Sequence, residues 1–157
     1  MKLPVTPAIR SLRSAKVPFE GHLYSYVERG GSRRSADVLG IDEHRIIKTL
    51  VFEDDAKKPL IVLMHGDRQV STKQLARRLN VRRITPCDPR IAQRHTGYQV
   101  GGTSPFGTRK ALPIYIEETL LALDRVVING GKRGFLIELA TADLVQVLGP
   151  TAVQVAI

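Results

Sequence analysis

The chain has 157 residues, of which 43% are hydrophobic and 25% charged, a composition typical of one globular domain with its own core. Its single cysteine, Cys87, excludes an intramolecular disulfide and a metal cluster built on cysteines. No apolar run approaches the ~20 residues that span a bilayer, and the N-terminus lacks a signal-peptide pattern, so we expect a cytoplasmic protein with no membrane partner. The net charge of +9 favours a polyanionic partner such as nucleic acid.

In the first half of the chain, capping residues and hydrophobic periodicity predict helices and strands in turn. Thr6 and Pro7 begin a helix that Pro18 stops, and Gly30–Arg34 is a loop before a short helix that ends at Gly40. The other predicted elements are the strand Phe19–Tyr26, the strand Ile46–Phe52 with its hairpin partner Leu60–Met64 across the charged turn Glu53–Pro59, and a helix capped by Ser71 that runs through Leu79 and stops at Asn80.

In the second half, Asp88 and Pro89 begin a helix that ends near Gly97, and Thr141 caps a last helix to Leu148. Asn129-Gly130-Gly131 is a strong turn signal. The predicted strands are Tyr98–Val100, Pro113–Ile116, Arg125–Ile128, Phe135–Leu139 and Ala152–Ala156. Because helices and strands are intermixed without a regular βαβ rhythm or a linker, we expect a single α/β domain over residues 1–157, with a mixed, strongly curved, barrel-like sheet and surrounding helices.

The segment His95–Lys110 contains a glycine-rich loop that could bind an oxygen anion. Gly101 and Gly102 allow a ligand to approach the backbone closely, and Pro105 stiffens the turn that follows. Together with Thr103 and Ser104, the loop would present backbone N–H groups and two hydroxyls beside positive charge. Such a loop suits a carbonyl oxygen or a phosphate. The same residues also fit an ordinary turn, and the loop alone does not decide between the two.

Known site patterns do not match this chain. Gly102 and Gly107 have the separation of a Walker A motif, but Thr108-Arg109 follows where Lys and then Ser or Thr are required. The dinucleotide fingerprint fails because Gly101 and Gly102 are adjacent. The four histidines show no metal-binding spacing, and no serine-hydrolase elbow is present. We therefore expect no metal and no cofactor, and conventional acid–base or nucleophilic residues are hard to assign.

Lys48 interrupts an otherwise apolar strand. Alternation places it on one face with Ile46 and Leu50, and neither face of this strand looks solvated. A lysine that cannot reach water needs an anionic partner or a lowered pKa. The alternative is a buried stem whose ammonium group reaches solvent, and the pattern leaves both open. For Cys87, the adjacent Asp88 opposes a thiolate, which favours a small semi-buried residue over a nucleophile.

These residues, taken together and in order, resemble the YbaK/EbsC family of Cys-tRNA(Pro) deacylases, freestanding relatives of the editing domain of bacterial prolyl-tRNA synthetase. The resemblance covers nearly the whole chain. The matching segments are Thr6-Pro7-Ala8, Pro18-Phe19 with His22 and Tyr24, Leu39-Gly40-Ile41, Lys48-Thr49-Leu50, Asp88-Pro89, Ala92-Gln93-Arg94, Thr96-Gly97-Tyr98, Val100-Gly101-Gly102-Thr103-Ser104-Pro105, Gly107, Gly130-Gly131-Lys132-Arg133-Gly134 and Glu138.

The resemblance implies an editing fold that removes a wrong amino acid from a charged tRNA, with tRNA(Pro) as substrate and prolyl-tRNA synthetase as partner in a ternary complex. It implies that Lys48 is an essential lysine and that Gly101 and Gly102 act in catalysis. The implied substrate-binding residues are Tyr24, Thr49, Thr103, Ser104, Pro105, Asn129, Gly130 and Gly131. In cysteine-specific members, the substrate thiol is thought to attack its own ester and leave a thiolactone, which would explain why no protein nucleophile stands out.

Two departures from the family pattern leave alternatives open. Gly31-Ser32-Arg33-Arg34-Ser35 stands where many relatives have an acidic segment, which would alter how the tRNA end is held. Asn129 stands where many have serine, which touches the implied pocket. The alternatives are a deacylase for another small amino acid such as alanine, a non-catalytic module that binds tRNA or a synthetase, and a small-nucleotide binder. The sequence does not indicate whether the chain is a monomer or a dimer.

Overall fold

Eight strands form one mixed sheet in the computed structural model, which describes residues 2–157; Met1, the first residue of the predicted domain, lies outside the described residues. The strands are β1 (Glu20–Leu23), β2 (Ile46–Asp54), β3 (Pro59–His65), β4 (Ile84–Pro86), β5 (Ile114–Glu117), β6 (Arg125–Lys132), β7 (Phe135–Ala140) and β8 (Thr151–Val153). Their order is β1-β7-β6-β2-β3-β5-β8, with β4 paired to β2. The mixed α/β class is confirmed, and the sheet is an open path of strands, not a closed barrel.

Five α-helices within residues 2–157 surround the sheet. They are α1 (Pro7–Ser14), α2 (Gly31–Leu39), α3 (Thr72–Leu79), α4 (Pro89–Thr96) and α5 (Thr141–Leu148). Three of the predicted N-caps are confirmed, because the side chains of Thr6, Ser71 and Asp88 each accept a hydrogen bond from a backbone N–H of the first turn. No helix within residues 2–157 has the length and apolar character needed to cross a bilayer.

Two predicted helix starts are wrong. Gly30–Arg34 is not a loop, because α2 already begins at Gly31 and the Arg34 N–H donates to the Gly30 carbonyl at 3.2 Å. Thr141 is the first residue of α5, not its cap, and the cap position is Ala140. No side chain caps the start of α5, and the buried Thr141 instead holds this end of the helix by packing.

The segment Tyr98–Val100 is not a strand. Tyr98 is buried, and its hydroxyl donates to the Phe106 carbonyl at 2.5 Å. The Gly102 N–H donates to the Gln99 carbonyl at 2.8 Å, which bends the chain into a turn where a strand would extend. Burial raises the pKa of Tyr98 to about 12, consistent with a phenol held in the core. Tyr98 therefore fastens the glycine-rich loop to the core by its side chain.

Asn129-Gly130-Gly131 is not a turn either. Strand β6 continues through Lys132 with a register shift against β7 between Asn129 and Lys132, so the reversal comes later, between β6 and β7. Gly131 has φ +99°, and a β-bulge can use such a conformation, which only glycine adopts without strain. The Thr6 hydroxyl donates to the Gly130 carbonyl at 2.5 Å, which ties this bulge to the start of α1.

Strand β2 is the branch point of the sheet. One edge pairs with β3 from Ile47 to Glu53. The other edge is divided between β6, which pairs at Ile46 and Ile47, and β4, which pairs over Phe52–Asp54. Among the described residues, no strand covers positions 48–51 on that second edge. We call this gap the fork.

The backbone at the fork is left available. The Val51 carbonyl points toward the second edge, because it accepts from the Cys87 N–H at 3.0 Å. Since alternate residues of a strand direct their backbone polar groups to the same edge, the N–H and carbonyl of Thr49 also point into the gap. Backbone groups that no strand pairs with need another partner, which water or a ligand can supply.

The core lies on both faces of the sheet. The larger cluster packs α1 and α5 against the sheet and includes Phe106 and Phe135, which are almost completely buried. A second cluster packs α3 against β2 and β3 around Leu75 and Met64. The sheet is therefore covered by helices on both faces, and the fork is a break in strand pairing inside the sheet, away from its outer edges.

Replacing Tyr98 with phenylalanine should lower the free energy of unfolding by about 1–3 kcal/mol, because the buried Phe106 carbonyl loses its partner. Urea denaturation of the purified variant measures the change. Tyr115→Phe is the matched control, since Tyr115 is half-buried on β5, and it should cost less than about 0.5 kcal/mol. Equal effects of the two substitutions would contradict the role given to the Tyr98 hydroxyl.

Candidate active site

A cavity of about 740 Å³ opens at the fork of β2. Its walls come from β2, from the segment after β1, and from the first residues of α2 and α4, together with the glycine-rich loop and Asn129 of β6. The cavity brings together, from distant parts of the sequence, Tyr24, Lys48, Thr49, Gly101, Thr103 and Asn129. The other residues that the sequence singled out, Gly102, Ser104, Pro105, Gly130 and Gly131, do not line it.

Lys48 projects from β2 beside the fork and is half-buried. Its ammonium group donates a hydrogen bond to the backbone carbonyl of Arg68. Burial lowers the pKa of Lys48 from its ordinary value, and the carboxylates of Glu43 and Asp67 partly offset that shift. Both sequence-based interpretations hold in part: the stem is enclosed by the strand, and the head is held by a neutral carbonyl. The charge is therefore only partly compensated where Lys48 lines the cavity.

Gly101 occupies a position where a side chain cannot fit. Its φ is +88°, and a Cβ there would lie 2.5 Å from the Tyr26 hydroxyl. The next residue, Gly102, is buried against the backbone of the β6–β7 turn, and its N–H is already bonded to Gln99. The Gly102 N–H is thus not free for a ligand, and the loop presents Gly101 to the cavity.

The two loop hydroxyls have different environments. Thr103 lies on the cavity wall and is half-buried. Ser104 is fully buried, and its hydroxyl accepts a hydrogen bond from the Phe106 N–H at 3.1 Å. The expectation that both hydroxyls face a ligand is therefore wrong for Ser104, because the turn before Phe106 uses it as an internal cap. Pro105 is buried beside it.

Asn129 connects the glycine-rich loop to the bulge of β6. Its Oδ1 accepts from the N–H groups of Gly131 at 2.7 Å and Lys132 at 3.1 Å, and its Nδ2 donates to the Gly101 carbonyl at 3.1 Å. A side-chain amide can donate and accept at once, which a serine hydroxyl does over a shorter reach. Asn129 therefore fixes the position of Gly101 at the cavity wall. Gly130 and Gly131 contribute to that position indirectly, because they form the bulge to which Asn129 is bonded.

Among the cavity residues that the sequence pattern did not identify as site residues are Tyr26, Arg34 and Arg133. Tyr26 lies under the Arg133 guanidinium, whose carbon is 5.0 Å from the ring centroid, and the Arg133 Nε donates to the Val100 carbonyl at 2.8 Å. The Nε of Arg34 is buried and has no hydrogen-bond partner among residues 2–157. The sequence shows runs of basic residues around Arg34 and Arg133, but only the fold shows that these two side chains line the same cavity.

The lining is strongly cationic. Arg29, Arg34, Lys48 and Arg133 line the cavity, whereas Glu28 is its only carboxylate among the described residues. A concave wall of one charge sign concentrates the field and attracts anions. The cavity therefore suits a ligand that carries phosphate.

Three further polar groups of the cavity lining carry no charge. The Thr49 hydroxyl is buried and has no hydrogen-bond partner within residues 2–157. Burial raises the pKa of the Tyr24 phenol, which keeps it protonated as a donor. Burial also raises the pKa of the Cys87 thiol, which lines the cavity, and so disfavours the thiolate that a nucleophile needs. The cavity thus has donors and cations for a substrate, with no activated nucleophile at Cys87.

A histidine pair lies close to Lys48. The rings of His44 and His65 stack at 3.8 Å, and His44 Nδ1 lies 2.9 Å from the Asp67 carboxylate. Both ring nitrogens of His65 are engaged, with the His44 carbonyl and the Thr119 hydroxyl, each at 2.7 Å. These contacts brace the loop that carries the Arg68 carbonyl, the partner of Lys48.

Sequence comparisons identify relatives of known description. The family model for the aminoacyl-tRNA editing domain matches residues 31–147. The "Putative Cys-tRNA(Pro)/Cys-tRNA(Cys) deacylase EbsC" of Enterococcus faecalis is 32% identical over 136 residues, covering 86% of this chain and 83% of that protein. The proline–tRNA ligase of Lactobacillus helveticus is 29% identical over 108 residues, covering 69% of this chain but 19% of the ligase.

Solved structures show the same fold. A "putative trans-editing enzyme for prolyl tRNA synthetase" superposes with a TM-score of 0.82 at 21% identity, covering 97% of this chain and 98% of the other. The structure of hypothetical protein APE2540 superposes with a TM-score of 0.87 at 20% identity, covering 96% and 99%. The family model spans most of the chain and agrees with this architecture. The chain therefore belongs to the aminoacyl-tRNA editing domain family.

Proposed function

We propose that this chain is a trans-acting aminoacyl-tRNA deacylase that removes cysteine from mischarged tRNA(Pro). The observation that carries the proposal is the convergence of Lys48, the Gly101 loop and Asn129 on one cationic cavity. Family membership and the 32% identity to the Enterococcus protein support the reaction class. The similarity to proline–tRNA ligases supports tRNA(Pro) as the carrier.

In this proposal the aminoacyl ester lies against the glycine-rich loop. Gly101 and Gly102 shape the wall that the carbonyl faces, and Ser104, Pro105, Gly130 and Gly131 hold that wall in place. Thr103, Thr49 and Tyr24 contact the amino acid and the ribose, and Asn129 sets the position of Gly101. The enzyme contributes position and a preorganised field, which are large terms in catalysis.

The substrate supplies its own nucleophile. The cysteine sulfur attacks the ester carbonyl carbon, so that a carbon–sulfur bond forms and the bond to the ribose oxygen breaks. The thiol proton passes to that leaving oxygen, which yields a thiolactone and tRNA with a free ribose hydroxyl. Lys48 stabilises the negative charge that develops on the leaving oxygen, or holds the adjacent phosphate. No step requires Cys87, whose pKa is raised by burial.

The two departures from the family pattern have roles in this scheme. Arg34 lies on the cavity wall with an unsatisfied Nε, which suits a phosphate of the tRNA end. Asn129 bonds both the loop and the bulge, so it influences the depth of the space left for the amino acid. We infer that prolyl-tRNA synthetase presents the substrate in a ternary complex, and that one editing domain spans the chain.

Lys48→Ala should lower kcat/KM for Cys-tRNA(Pro) about 100-fold or more, because a preorganised charge near the leaving group is lost. Deacylation of labelled Cys-tRNA(Pro) measures the rate, and urea denaturation shows that the variant is folded. Lys58→Ala, on the exposed β2–β3 turn, removes one positive charge away from the cavity and should leave the rate unchanged. Normal turnover by Lys48→Ala would refute the role assigned to this lysine.

A panel of tRNA(Pro) charged with Cys, Ser, Ala or Pro tests the substrate and the mechanism. Rapid release of Cys with nearly inert Ser is expected, because serine has the same size but a much weaker nucleophile than a thiol. Comparable rates for Cys and Ser would point to attack by water. Faster release of Ala would assign the chain to another small amino acid. The panel is run with and without prolyl-tRNA synthetase.

The second candidate is a module that binds tRNA without catalysis. The cationic wall with Arg34 favours binding, and the absence of an activated protein nucleophile among the described cavity residues is compatible with it. Salt-sensitive binding of tRNA without release of any of the four amino acids would establish this alternative in place of the deacylase.

A further inference from the structure

A second cavity of about 560 Å³ adjoins the first. Its walls are the N-terminal segment from Lys2 to Val5, Leu23 at the end of β1, and the β6–β7 turn from Lys132 to Phe135. Tyr24 and Arg133 line both cavities. Tyr24 and Arg133 therefore form a ridge at the boundary between the candidate active site and the second cavity.

The second cavity combines positive charge with apolar surface. Lys2, Lys132 and Arg133 line it, and none of its lining residues is a carboxylate. Lys2 and Lys132 are exposed, and neither forms an ion pair within residues 2–157. Val5 and Leu23 lie in the same lining and are 55% and 42% exposed, so the cavity also presents apolar surface. Such a surface suits a ligand with alternating anionic and flat apolar groups.

The ridge is preorganised. Arg133 is held by its Nε bond to the Val100 carbonyl and by the Tyr26 ring below its guanidinium. An arginine fixed in this way loses little freedom when it binds an anion, and its planar group can hold phosphate. A chain of phosphates that left the first cavity across the ridge would therefore meet a fixed cation at the crossing point and two exposed lysines beyond it.

We propose that the second cavity binds the single-stranded end of the tRNA just before its terminal nucleotide. The terminal aminoacylated nucleoside occupies the first cavity, Arg133 holds the phosphate at the ridge, and Lys132 and Lys2 hold the phosphates that precede it. Val5 and Leu23 contact the base faces. This inference rests on the proposed function for the first cavity. RNA is favoured over a protein partner because one flexible strand supplies both the phosphates and the stacked apolar faces that this surface complements.

The test compares two substrates with the same ester, Cys-tRNA(Pro) and 3′-O-cysteinyl-adenosine, which lacks every preceding phosphate. In the double variant Lys2→Ala/Lys132→Ala, kcat/KM for Cys-tRNA(Pro) should fall about tenfold at low salt. The rate of the double variant with cysteinyl-adenosine should stay within about twofold of the wild-type rate, because this small substrate binds entirely in the first cavity. The matched control is Lys57→Asn/Lys58→Ala, which removes two charges from the β2–β3 turn and should change neither rate.

Binding provides a readout that does not depend on catalysis. Fluorescence anisotropy of an uncharged single-stranded RNA with the tRNA(Pro) 3′ end gives Kd over a range of salt concentrations. The salt slope of log Kd should fall by about 1.4 in the double variant, at about 0.7 for each lost phosphate contact. If the wild type cleaves neither ester, but its salt slope still exceeds that of the double variant by this amount, the proposed function fails and the proposed RNA-binding path stands.

Three results would overturn the inference. One is an unchanged RNA affinity and salt slope in the double variant. Another is an equal loss of rate with cysteinyl-adenosine, which would make the effect structural. The third is a loss seen only when prolyl-tRNA synthetase is present, which would make the second cavity a protein-docking surface.

Discussion

The structure depends on the division of one strand edge. Strand β2 is paired along its whole β3 side, but β6 and β4 share its other side and leave a gap between Ile47 and Phe52. An uncovered strand edge in a sheet exposes polar backbone groups that must find partners. In this protein the gap is roofed by α2, α4 and the glycine-rich loop, so it becomes a cavity. The position of Lys48 and Thr49 inside that gap turns an interruption of the sheet into a candidate active site.

The charge balance of the cavity follows from the same geometry. The first turn of α2 and the β6–β7 turn both border the cavity, and they contribute Arg34 and Arg133. Strand β2 contributes a further cation, Lys48, whose ammonium group donates to a backbone carbonyl and whose pKa is lowered by burial. An aminoacyl-tRNA editing domain must hold an anionic RNA end and a neutral ester at the same time. A cavity lined by both basic side chains and neutral hydroxyls is a physical arrangement that meets both needs.

The loop that forms the wall is held from three sides. Tyr98 anchors it to the core through Phe106, Ser104 caps its internal turn, and Asn129 bonds the Gly101 carbonyl. These contacts hold the loop in one conformation. They also occupy backbone groups of the loop, so fewer hydrogen-bond donors remain for a ligand. Rigid support of this kind is what a site needs when its contribution is placement of the substrate.

The sequence by itself determined much of the local structure. The caps at Thr6, Ser71 and Asp88, the β2–β3 hairpin and the mixed α/β class could be predicted because they depend on contacts between neighbouring residues or on periodicity. The sequence also indicated that Lys48 is unusual, because it places a charged residue within an otherwise apolar strand.

Only the tertiary structure decided which residues meet. Asn129-Gly130-Gly131 has the composition of a turn, but pairing with β7 and the Thr6 bond draw it into a bulged strand. Ser104 was indistinguishable from Thr103 in sequence, and packing buried one and exposed the other to the cavity. Arg34 and Arg133 lie about a hundred positions apart and converge only because β2 is shared by several strands. Long-range contacts are selected by the packing of the whole chain, and local propensity carries no information about them.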